Sequence, residues 1–231
     1  MSRTIRPHLI WDWSGTLADE ARRHTEALNV ALAAVAPAEA TRIDMEDLHR
    51  LSQVPEYAAY SSALGRPLTT HEHRLAEAAL KGYLASQPPA PLTRGASELL
   101  RRLVRSGCSH SVVSLRPHDS LIRHIDALGV AALFIRVDGR RTSSAGSTKS
   151  QALARHVRAI RPAIDDRPII VIGDAPDDAV GAAANGLPVV LYAGGFTSVE
   201  LLRQIGPPVA VTLAEAAAIA VAHAHASPAT E

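Results

Sequence analysis

Apolar residues recur along this chain with two different periods. Between Ala18 and about Pro91 they recur at helical spacing, interrupted by prolines, which predicts helices over residues 21–35, 45–53, 56–64 and 70–85. Elsewhere short apolar runs alternate with helical segments, and the runs predict strands over residues 8–13, 109–114, 133–137, 168–172 and 188–191. The helical segments that accompany these strands cover residues 96–106, 120–128, 148–160, 177–185, 198–205 and 213–223.

Short apolar strands that alternate with helices are typical of parallel βαβ units. The pattern therefore predicts an α/β fold: a doubly wound, Rossmann-like, mostly parallel sheet core with an inserted all-helical domain. We expect the core to comprise residues 1–17 and 90–231, and the helical insert to comprise residues 18–89. A chain of 231 residues buries about 70% of its unfolded surface, so it can fold without disulfides or a structural metal.

Composition and charge exclude several classes of protein. Lys and Arg number 24 against 23 Asp and Glu, so the net charge gives no reason to expect nucleic acid or an anionic membrane as a partner. The single cysteine, Cys108, cannot form an internal disulfide, which is typical of a reducing compartment. The apolar run over residues 209–222 contains Thr212 and Glu215 and is shorter than the ~20 residues that span a bilayer. We expect a soluble, cytoplasmic protein that is a monomer or a homodimer.

Chemically reactive side chains follow several of the predicted strands. In an open parallel sheet, ligands bind at the carboxyl ends of the strands, so residues at those ends are candidates for a site. Three predicted strands and one helix start contribute such residues: Asp12 and Ser14 after the first strand, Ser114 at the end of the second, Lys149 near the start of a helix, and Asp174 and Asp178 after the fourth strand.

These residue types together suit phosphoryl transfer. Neighbouring carboxylates can hold Mg²⁺, and a carboxylate can attack phosphorus to form an aspartyl-phosphate. A serine hydroxyl and a lysine ammonium can bind the phosphoryl oxygens. Each residue alone also has an ordinary structural explanation, since Asp12 could be a turn residue, Ser114 a helix cap and Lys149 a solvated helix end. It is their shared position at one edge of the sheet that favours a site.

Four segments in order along the chain resemble the motifs of the haloacid dehalogenase-like hydrolase superfamily. HLIWDWSGTL resembles the first motif, an apolar strand followed by D-x-D-G-T-L, and Ser114 at the end of HSVVS matches the second. Lys149 in GSTKSQAL matches the third motif, and VIGDAPDD matches the fourth. The helical insert after the first motif is similar to the type I cap of phosphoglycolate phosphatase-like and β-phosphoglucomutase-like members.

The resemblance implies a role for each matching residue. Asp12 would be the nucleophile and a Mg²⁺ ligand, and the backbone carbonyl of Ser14 would be a second ligand. Asp174 would bind the metal directly, and Asp178 would bind it through water or support the site. Ser114 and Lys149 would bind the transferring phosphoryl group. The resemblance therefore implies a Mg²⁺-dependent phosphatase whose substrate is a small phosphorylated metabolite.

One position departs from the family pattern. Most phosphatases of this family have an acid/base Asp where this chain has Ser14, and a serine hydroxyl is too weak an acid and base to replace it. Loss of general acid–base help costs about 10²- to 10⁴-fold in rate. With Ser14 the enzyme could turn over slowly, or its substrate could have a leaving group that needs no acid or could itself supply the proton. Another residue just beyond the motif could also donate the proton; the candidate donors are Asp19, Glu20 and His24.

Two alternative functions therefore stay open. The first is a catalytically impaired, phosphate-binding or regulatory member of the family, which Ser14 favours. The second is C–P bond cleavage of the phosphonoacetaldehyde hydrolase type, because that family also lacks the second Asp. Such chemistry needs a lysine in the cap to form a Schiff base. The cap has only Lys81, which lies near its C-terminal end instead of within residues 48–57, where the resemblance would place that lysine.

Overall fold

A computed structural model describes residues 6–38, 42–51, 56–141 and 148–226 of the chain. The chain divides into two compact units, one comprising Met1–Ala18 and Pro91–Glu231 and the other Asp19–Ala90. The role of the second unit as a cap stays a prediction. No helix among the described residues is long and apolar enough to cross a membrane.

The described residues of the first unit form one parallel sheet with helices on both faces. Its strands are β1 (His8–Trp11), β2 (Ser109–Pro117), β3 (Arg136–Arg140), β4 (Ile169–Gly173), β5 (Val189–Tyr192) and β6 (Val209–Ala210). They lie in the order β3-β2-β1-β4-β5-β6, and every neighbouring pair is parallel. This arrangement confirms the predicted doubly wound α/β class.

Helices fill the connections between the strands and make up the second unit. In chain order they are α1 (Ala21–Val35), α2 (Met45–Leu51), α3 (Glu56–Leu64), α4 (Thr70–Ser86), α5 (Ala96–Arg105), α6 (His118–Ala127), α7 (Lys149–Ile164), α8 (Pro176–Ala183), α9 (Val199–Ile205) and α10 (Leu213–Ala226). The first four belong to the second unit. Each predicted helix is present; α1 and α3 have the predicted bounds, and the ends of the others differ by a few residues. Residues 52 and 53, at the predicted end of the second helix, lie outside the described ranges.

Alternation along β1 divides the core of the first unit into two layers. Leu9 and Trp11 point to one face and pack with α5, α6 and α10, whereas Ile10 points to the other face and packs with α7. All three side chains are fully buried. Because both faces are covered, β4 is apolar throughout and β1 is apolar after His8, and this is why the sequence pattern locates these two strands well.

The prediction was wrong at the two edges of the sheet. We predicted the third strand over residues 133–137, but Ala131–Leu133 form a short 3₁₀ turn and β3 begins at Arg136. As an edge strand β3 is half-buried and polar, so the apolar residues just before it gave a misleading signal. The last strand, β6, was not predicted, because two residues are too few to show a period.

Helical packing and one half-buried amide hold the second unit together. Its α1 buries Ala27, Leu28 and Ala31, and every element described in this unit is a helix. The Asn29 side chain accepts a hydrogen bond of 2.9 Å from the Ile43 N–H and donates one of 3.0 Å to the Ile43 carbonyl. This pair of bonds fixes the segment that follows α1.

Two buried histidines make the stability of the first unit sensitive to acid. Burial is the main cause that lowers the pKa of His8 to about 3 and that of His110 to about 4. An unfolded histidine titrates near 6.5. As the pH falls below about 6.5, the unfolded chain binds protons that the folded chain does not, so the folded state loses about 1.4 kcal/mol per pH unit for each group.

Urea unfolding followed by tryptophan fluorescence between pH 7 and pH 5 measures this loss. The buried carboxyls of Asp12 and Asp174 titrate in the same range with the opposite sign, because burial raises their pKa values. The contribution of His110 is therefore the difference between the wild type and His110→Asn. We expect the free energy of unfolding of the wild type to fall by about 1.4 kcal/mol more per pH unit below about pH 6.5 than that of the variant. An equal pH dependence in the two proteins would contradict the assignment.

Candidate active site

A tight turn after β1 places Asp12 at the carboxyl edge of the sheet. The Asp12 N–H donates to the Ile172 carbonyl of β4 at 2.8 Å, and the Ala18 N–H closes the turn on the Trp13 carbonyl at 2.8 Å. Gly15 has a φ of +83°, and a β-carbon there would collide with the Asp174 carboxylate. The turn therefore needs glycine for its backbone angle and for its close approach to β4. Because strand order reverses between β1 and β4, this position is where open α/β sheets bind ligands.

Trp13 anchors that turn in the core. Its indole N–H donates to His124 Nδ1 on α6 at 3.1 Å, and the two rings meet edge to face with centroids 5.4 Å apart. Both side chains are buried. The Trp13 backbone also forms a hydrogen bond with the Asp12 carboxylate. Trp13 therefore anchors the turn through both its side chain and its backbone.

Lys149 joins the first and fourth motifs through two ion pairs. It is the first residue of α7, whose start is fixed by a capping box between Thr148 and Gln151. The buried Lys149 ammonium contacts Asp12 Oδ1, lies 2.7 Å from Asp178 Oδ1 and donates to the Val113 carbonyl at 3.0 Å. Burial alone would lower the pKa of Lys149, but the two carboxylates raise it above its usual value. The lysine therefore stays charged.

The two carboxylates after β4 are held in different ways. Asp174 accepts the Thr16 hydroxyl at 2.7 Å and the Phe196 N–H at 2.9 Å, one on each oxygen. Asp178 Oδ2 accepts the Ala175 N–H at 3.1 Å. Asp178 Oδ1 has only its 2.7 Å contact with Lys149, whose angles fall short of a hydrogen bond. Asp178 therefore keeps a buried oxygen with no well-formed hydrogen bond among the described residues.

Three carboxylates at this edge are arranged to hold a cation. One oxygen from each of Asp12, Asp174 and Asp178 lies within 4.8 Å of the others, and all three residues are buried. Burial and the neighbouring carboxylates raise the pKa of Asp12 to about 6 and that of Asp174 to about 8. Among the described residues, one ammonium faces three carboxylates here. An oxygen-ligated divalent ion would balance the remaining charge and use the buried, unsatisfied lone pair of Asp178 Oδ1, so these residues fit Mg²⁺.

The two serines lie at the same edge of the sheet. Ser114 is buried and follows Val113, whose carbonyl binds Lys149; its hydroxyl oxygen accepts the Arg116 N–H at 3.2 Å. That bond leaves the Ser114 hydroxyl proton free to be donated to a ligand. Ser14 is half-buried in the turn, two residues after Asp12. The structure thus brings Asp12, Lys149, Asp174 and Asp178 into direct contact or close range, with Ser14 and Ser114 on adjoining backbone.

Sequence reasoning missed three groups that support these residues. They are the Thr16 hydroxyl, the Phe196 backbone N–H and the Val113 carbonyl. Thr16 belongs to the DWSGT segment. Phe196 follows a Gly-Gly pair that begins one residue after the end of β5, and such a pair is a usable signal for a close backbone approach. A backbone carbonyl such as that of Val113 has no signal in the sequence. The candidate proton donors Asp19, Glu20 and His24 belong to the second unit.

Comparison with known proteins agrees with the fold and the motifs. The family model for haloacid dehalogenase-like hydrolases matches residues 7–186. A phosphoglycolate phosphatase from Mesorhizobium japonicum is 26% identical over 226 residues, which cover 94% of this chain and 95% of that protein.

Solved structures show the same fold at lower identity. One is Protein Tyrosine Kinase A from Mycobacterium tuberculosis, with a TM-score of 0.72, 22% identity, and coverage of 94% of this chain and 98% of that one. Another is a haloacid dehalogenase-like family hydrolase from Streptococcus pneumoniae, with a TM-score of 0.70, 16% identity, and coverage of 93% and 98%.

A doubly wound parallel sheet with an acidic cluster and a buried lysine at its switch point defines an α/β protein with a candidate ligand site at the carboxyl ends of its strands. The match over residues 7–186 gives the family: the chain belongs to the haloacid dehalogenase-like hydrolases. The predicted family and enzyme class are thereby confirmed.

Proposed function

We propose that this protein is a Mg²⁺-dependent phosphatase that hydrolyses a small phosphorylated metabolite through an aspartyl-phosphate at Asp12. The observation that carries the proposal is the buried Asp12 carboxylate, in contact with Lys149 and within one cluster with Asp174 and Asp178. The phosphoglycolate phosphatase relative supports a small phosphomonoester as the substrate class. A small monoester with a second anionic group is the first candidate.

The chemistry assigned to the chain proceeds in two displacements. An Asp12 oxygen attacks phosphorus, the new O–P bond forms, and the bond to the leaving oxygen breaks. Water then attacks the same phosphorus, releases inorganic phosphate and restores the Asp12 carboxylate. The Lys149 ammonium and the Ser114 hydroxyl bind phosphoryl oxygens in both steps. Asp12, Asp174 and the Ser14 carbonyl would hold a Mg²⁺ ion, with Asp178 binding it through water or supporting the site, and the ion would neutralise charge between the carboxylates and the phosphate.

Ser14 makes both proton transfers slow. In the first step the leaving oxygen must gain a proton, and in the second the attacking water must lose one. The Ser14 hydroxyl has the position of the missing acid/base but not its acidity. Substrates whose leaving groups need no proton should therefore form the aspartyl-phosphate faster than it hydrolyses.

Phosphate release from a panel of substrates tests the proposal. The panel should contain phosphoglycolate, sugar phosphates and p-nitrophenyl phosphate, each assayed with Mg²⁺ and with EDTA. We expect Mg²⁺-dependent release from at least one member. Release that persists undiminished in EDTA would contradict the metal dependence, and no release from any member would move the assignment to the alternative below.

Ser14 favours a second candidate function, a catalytically impaired protein that binds a phosphate ligand. Its signature is Mg²⁺-dependent binding of the phosphorylated ligand, measured by calorimetry, without phosphate release. C–P bond cleavage has less support. A Schiff-base lysine must lose its proton, which requires a desolvated amine, whereas the Lys81 side chain is 72% exposed and pairs with Glu77 at 2.9 Å.

Mg²⁺ should stabilise the folded protein through the acidic cluster. A ligand that binds only the folded state at about a hundredfold excess over its Kd raises the free energy of unfolding by about 2.7 kcal/mol. We expect thermal unfolding to shift upward with Mg²⁺ and the shift to disappear in Asp174→Asn. An identical shift in both proteins would place the binding elsewhere.

A further inference from the structure

A chain of buried polar side chains crosses the core of the first unit away from the acidic cluster. His8 Nε2 lies 2.7 Å from the Ser111 hydroxyl, and the same hydroxyl lies 2.7 Å from His156 Nε2. His156 Nδ1 lies 2.7 Å from Asp138 Oδ2, which also accepts Arg136 Nε. His8, Ser111 and His156 have no exposed surface, so substrate cannot reach them and they are not a second catalytic triad.

Every member of the hydrogen-bond chain can be satisfied. The pKa of Asp138 lies below its usual range, because hydrogen bonds from His156 and Arg136 outweigh its burial. The Asp138 carboxylate therefore accepts from His156 Nδ1–H. The Ser111 hydroxyl can donate to the Nε2 of one histidine and accept from the Nε2 of the other, so both of its contacts can be hydrogen bonds.

The hydrogen-bond chain joins Asp138 of β3 to three elements that each carry a candidate catalytic group, β1, β2 and α7. His8 is the first residue of β1, four positions before Asp12. Ser111 lies on β2, three positions before Ser114. His156 lies on α7, seven positions after Lys149 and on the same buried face. From the rise per residue of a strand or a helix, each of these residues lies roughly 10–13 Å along its element from the candidate catalytic residue. The hydrogen-bond chain therefore crosses all three elements at a similar depth below the site.

We propose that the hydrogen-bond chain of His8, Ser111, His156 and Asp138 positions β1, β2 and α7 so that Lys149 meets the Asp12 carboxylate. These are positioning residues, and the inference rests on the proposed function. Apolar contacts such as that of Leu153 with the sheet tolerate small sliding of a helix. Directional hydrogen bonds to Ser111 and Asp138 do not, so they fix the height of α7 against β2 and β3. The bond from His8 to Ser111 and the backbone pairing of β1 with β2 extend this alignment to β1, which leads to Asp12.

The variant Ser111→Ala tests the proposal, because it cuts the chain at its centre with little change in volume. The matched control is Ser109→Ala on the same strand, which removes only the terminal bond of 2.8 Å to His8 Nδ1. With p-nitrophenyl phosphate, we expect Ser111→Ala to lower kcat about tenfold with KM changed less than about twofold, as small misplacement of a reacting group does. Ser109→Ala should stay within about twofold of the wild type.

Lysine NMR gives a readout that does not depend on turnover. The protein has two lysines, the exposed Lys81 and the buried Lys149. Protein labelled with ¹³C at lysine Cε therefore shows two assignable signals. We expect the Lys149 signal to move toward that of Lys81 in Ser111→Ala and to stay in place in Ser109→Ala. In a second pair, His156→Leu should move the signal, and His156→Gln, which retains a bond to Ser111, should move it less.

The outcomes separate the two proposals. If the wild type releases no phosphate, the proposed function fails, and the lysine signals still decide the positioning role. Ser111→Ala could lower the free energy of unfolding but leave both kcat and the Lys149 signal unchanged. In that case the hydrogen-bond chain only stabilises the fold, and the inference is overturned. Equal shifts of the Lys149 signal in Ser111→Ala and Ser109→Ala would overturn it as well.

Discussion

Asp12→Asn is expected to reduce phosphate release by about 10⁴- to 10⁶-fold, the scale of losing a nucleophile that acts in concert with its neighbours. An asparagine amide cannot form the covalent intermediate, although its shape matches that of the carboxylate. The fold should survive the change, because Lys149 keeps its ion pair with Asp178 at 2.7 Å. Steady-state release of phosphate from the best substrate of the panel measures the loss.

The control for that experiment is Asp177→Asn, which removes an exposed carboxylate from the same helix that carries Asp178. It should leave the rate of phosphate release unchanged. Circular dichroism and thermal unfolding of both variants should match the wild type. An Asp12→Asn protein that retains more than about a tenth of the wild-type rate would contradict the assignment of Asp12 as the nucleophile.

Ser14→Asp is expected to raise turnover by about 10²- to 10⁴-fold, because it restores a side chain that can give and take a proton at neutral pH. The position is half-buried and lies in the turn after Asp12, so a carboxyl group there can reach the leaving oxygen without entering the buried cluster. For substrates with poor leaving groups the gain should come from both steps. For p-nitrophenyl phosphate, whose leaving group needs little protonation, it should come from faster hydrolysis of the aspartyl-phosphate.

Ser14→Ala is the matched control for this gain. Because the serine hydroxyl is assigned no proton transfer, its removal should change turnover less than about threefold, well under the effect of general acid–base catalysis. Pre-steady-state measurements with p-nitrophenyl phosphate should show a burst of nitrophenol in the wild type and none in Ser14→Asp. Turnover that falls in Ser14→Asp and in Ser14→Ala alike would show that the hydroxyl itself has a role.

The parts of the fold that the sequence predicts are those buried on both faces or amphipathic over several turns. The central strands β1 and β4 are buried at every position, and α1 has the bounds that its periodicity indicates. The edge strands β3 and β6 are the exceptions, because a half-buried polar strand and a two-residue strand carry no clear pattern. Hydrophobic periodicity reports burial, so it fails where burial is partial.

The sequence likewise predicts some groups of the candidate site and not others. Asp12, Lys149, Asp174 and Asp178 could be located because each follows a strand or begins a helix at a predicted boundary. The supports of the site could not, since a carbonyl such as that of Val113 and an amide such as that of Phe196 depend on backbone geometry alone. The buried link from His8 to Asp138 also joins residues far apart in the sequence, which no local pattern connects.

Detection of the phosphoenzyme tests the central claim most directly. Wild type, Ser14→Asp and Asp12→Asn should each be mixed with Mg²⁺ and p-nitrophenyl phosphate, quenched in acid and examined by intact-protein and peptide mass spectrometry. The account predicts one added phosphoryl group on Asp12 of the wild type, a smaller fraction in Ser14→Asp and none in Asp12→Asn. Phosphate release by the wild type with no phosphoryl group on Asp12, or equal incorporation in Asp12→Asn, would contradict it.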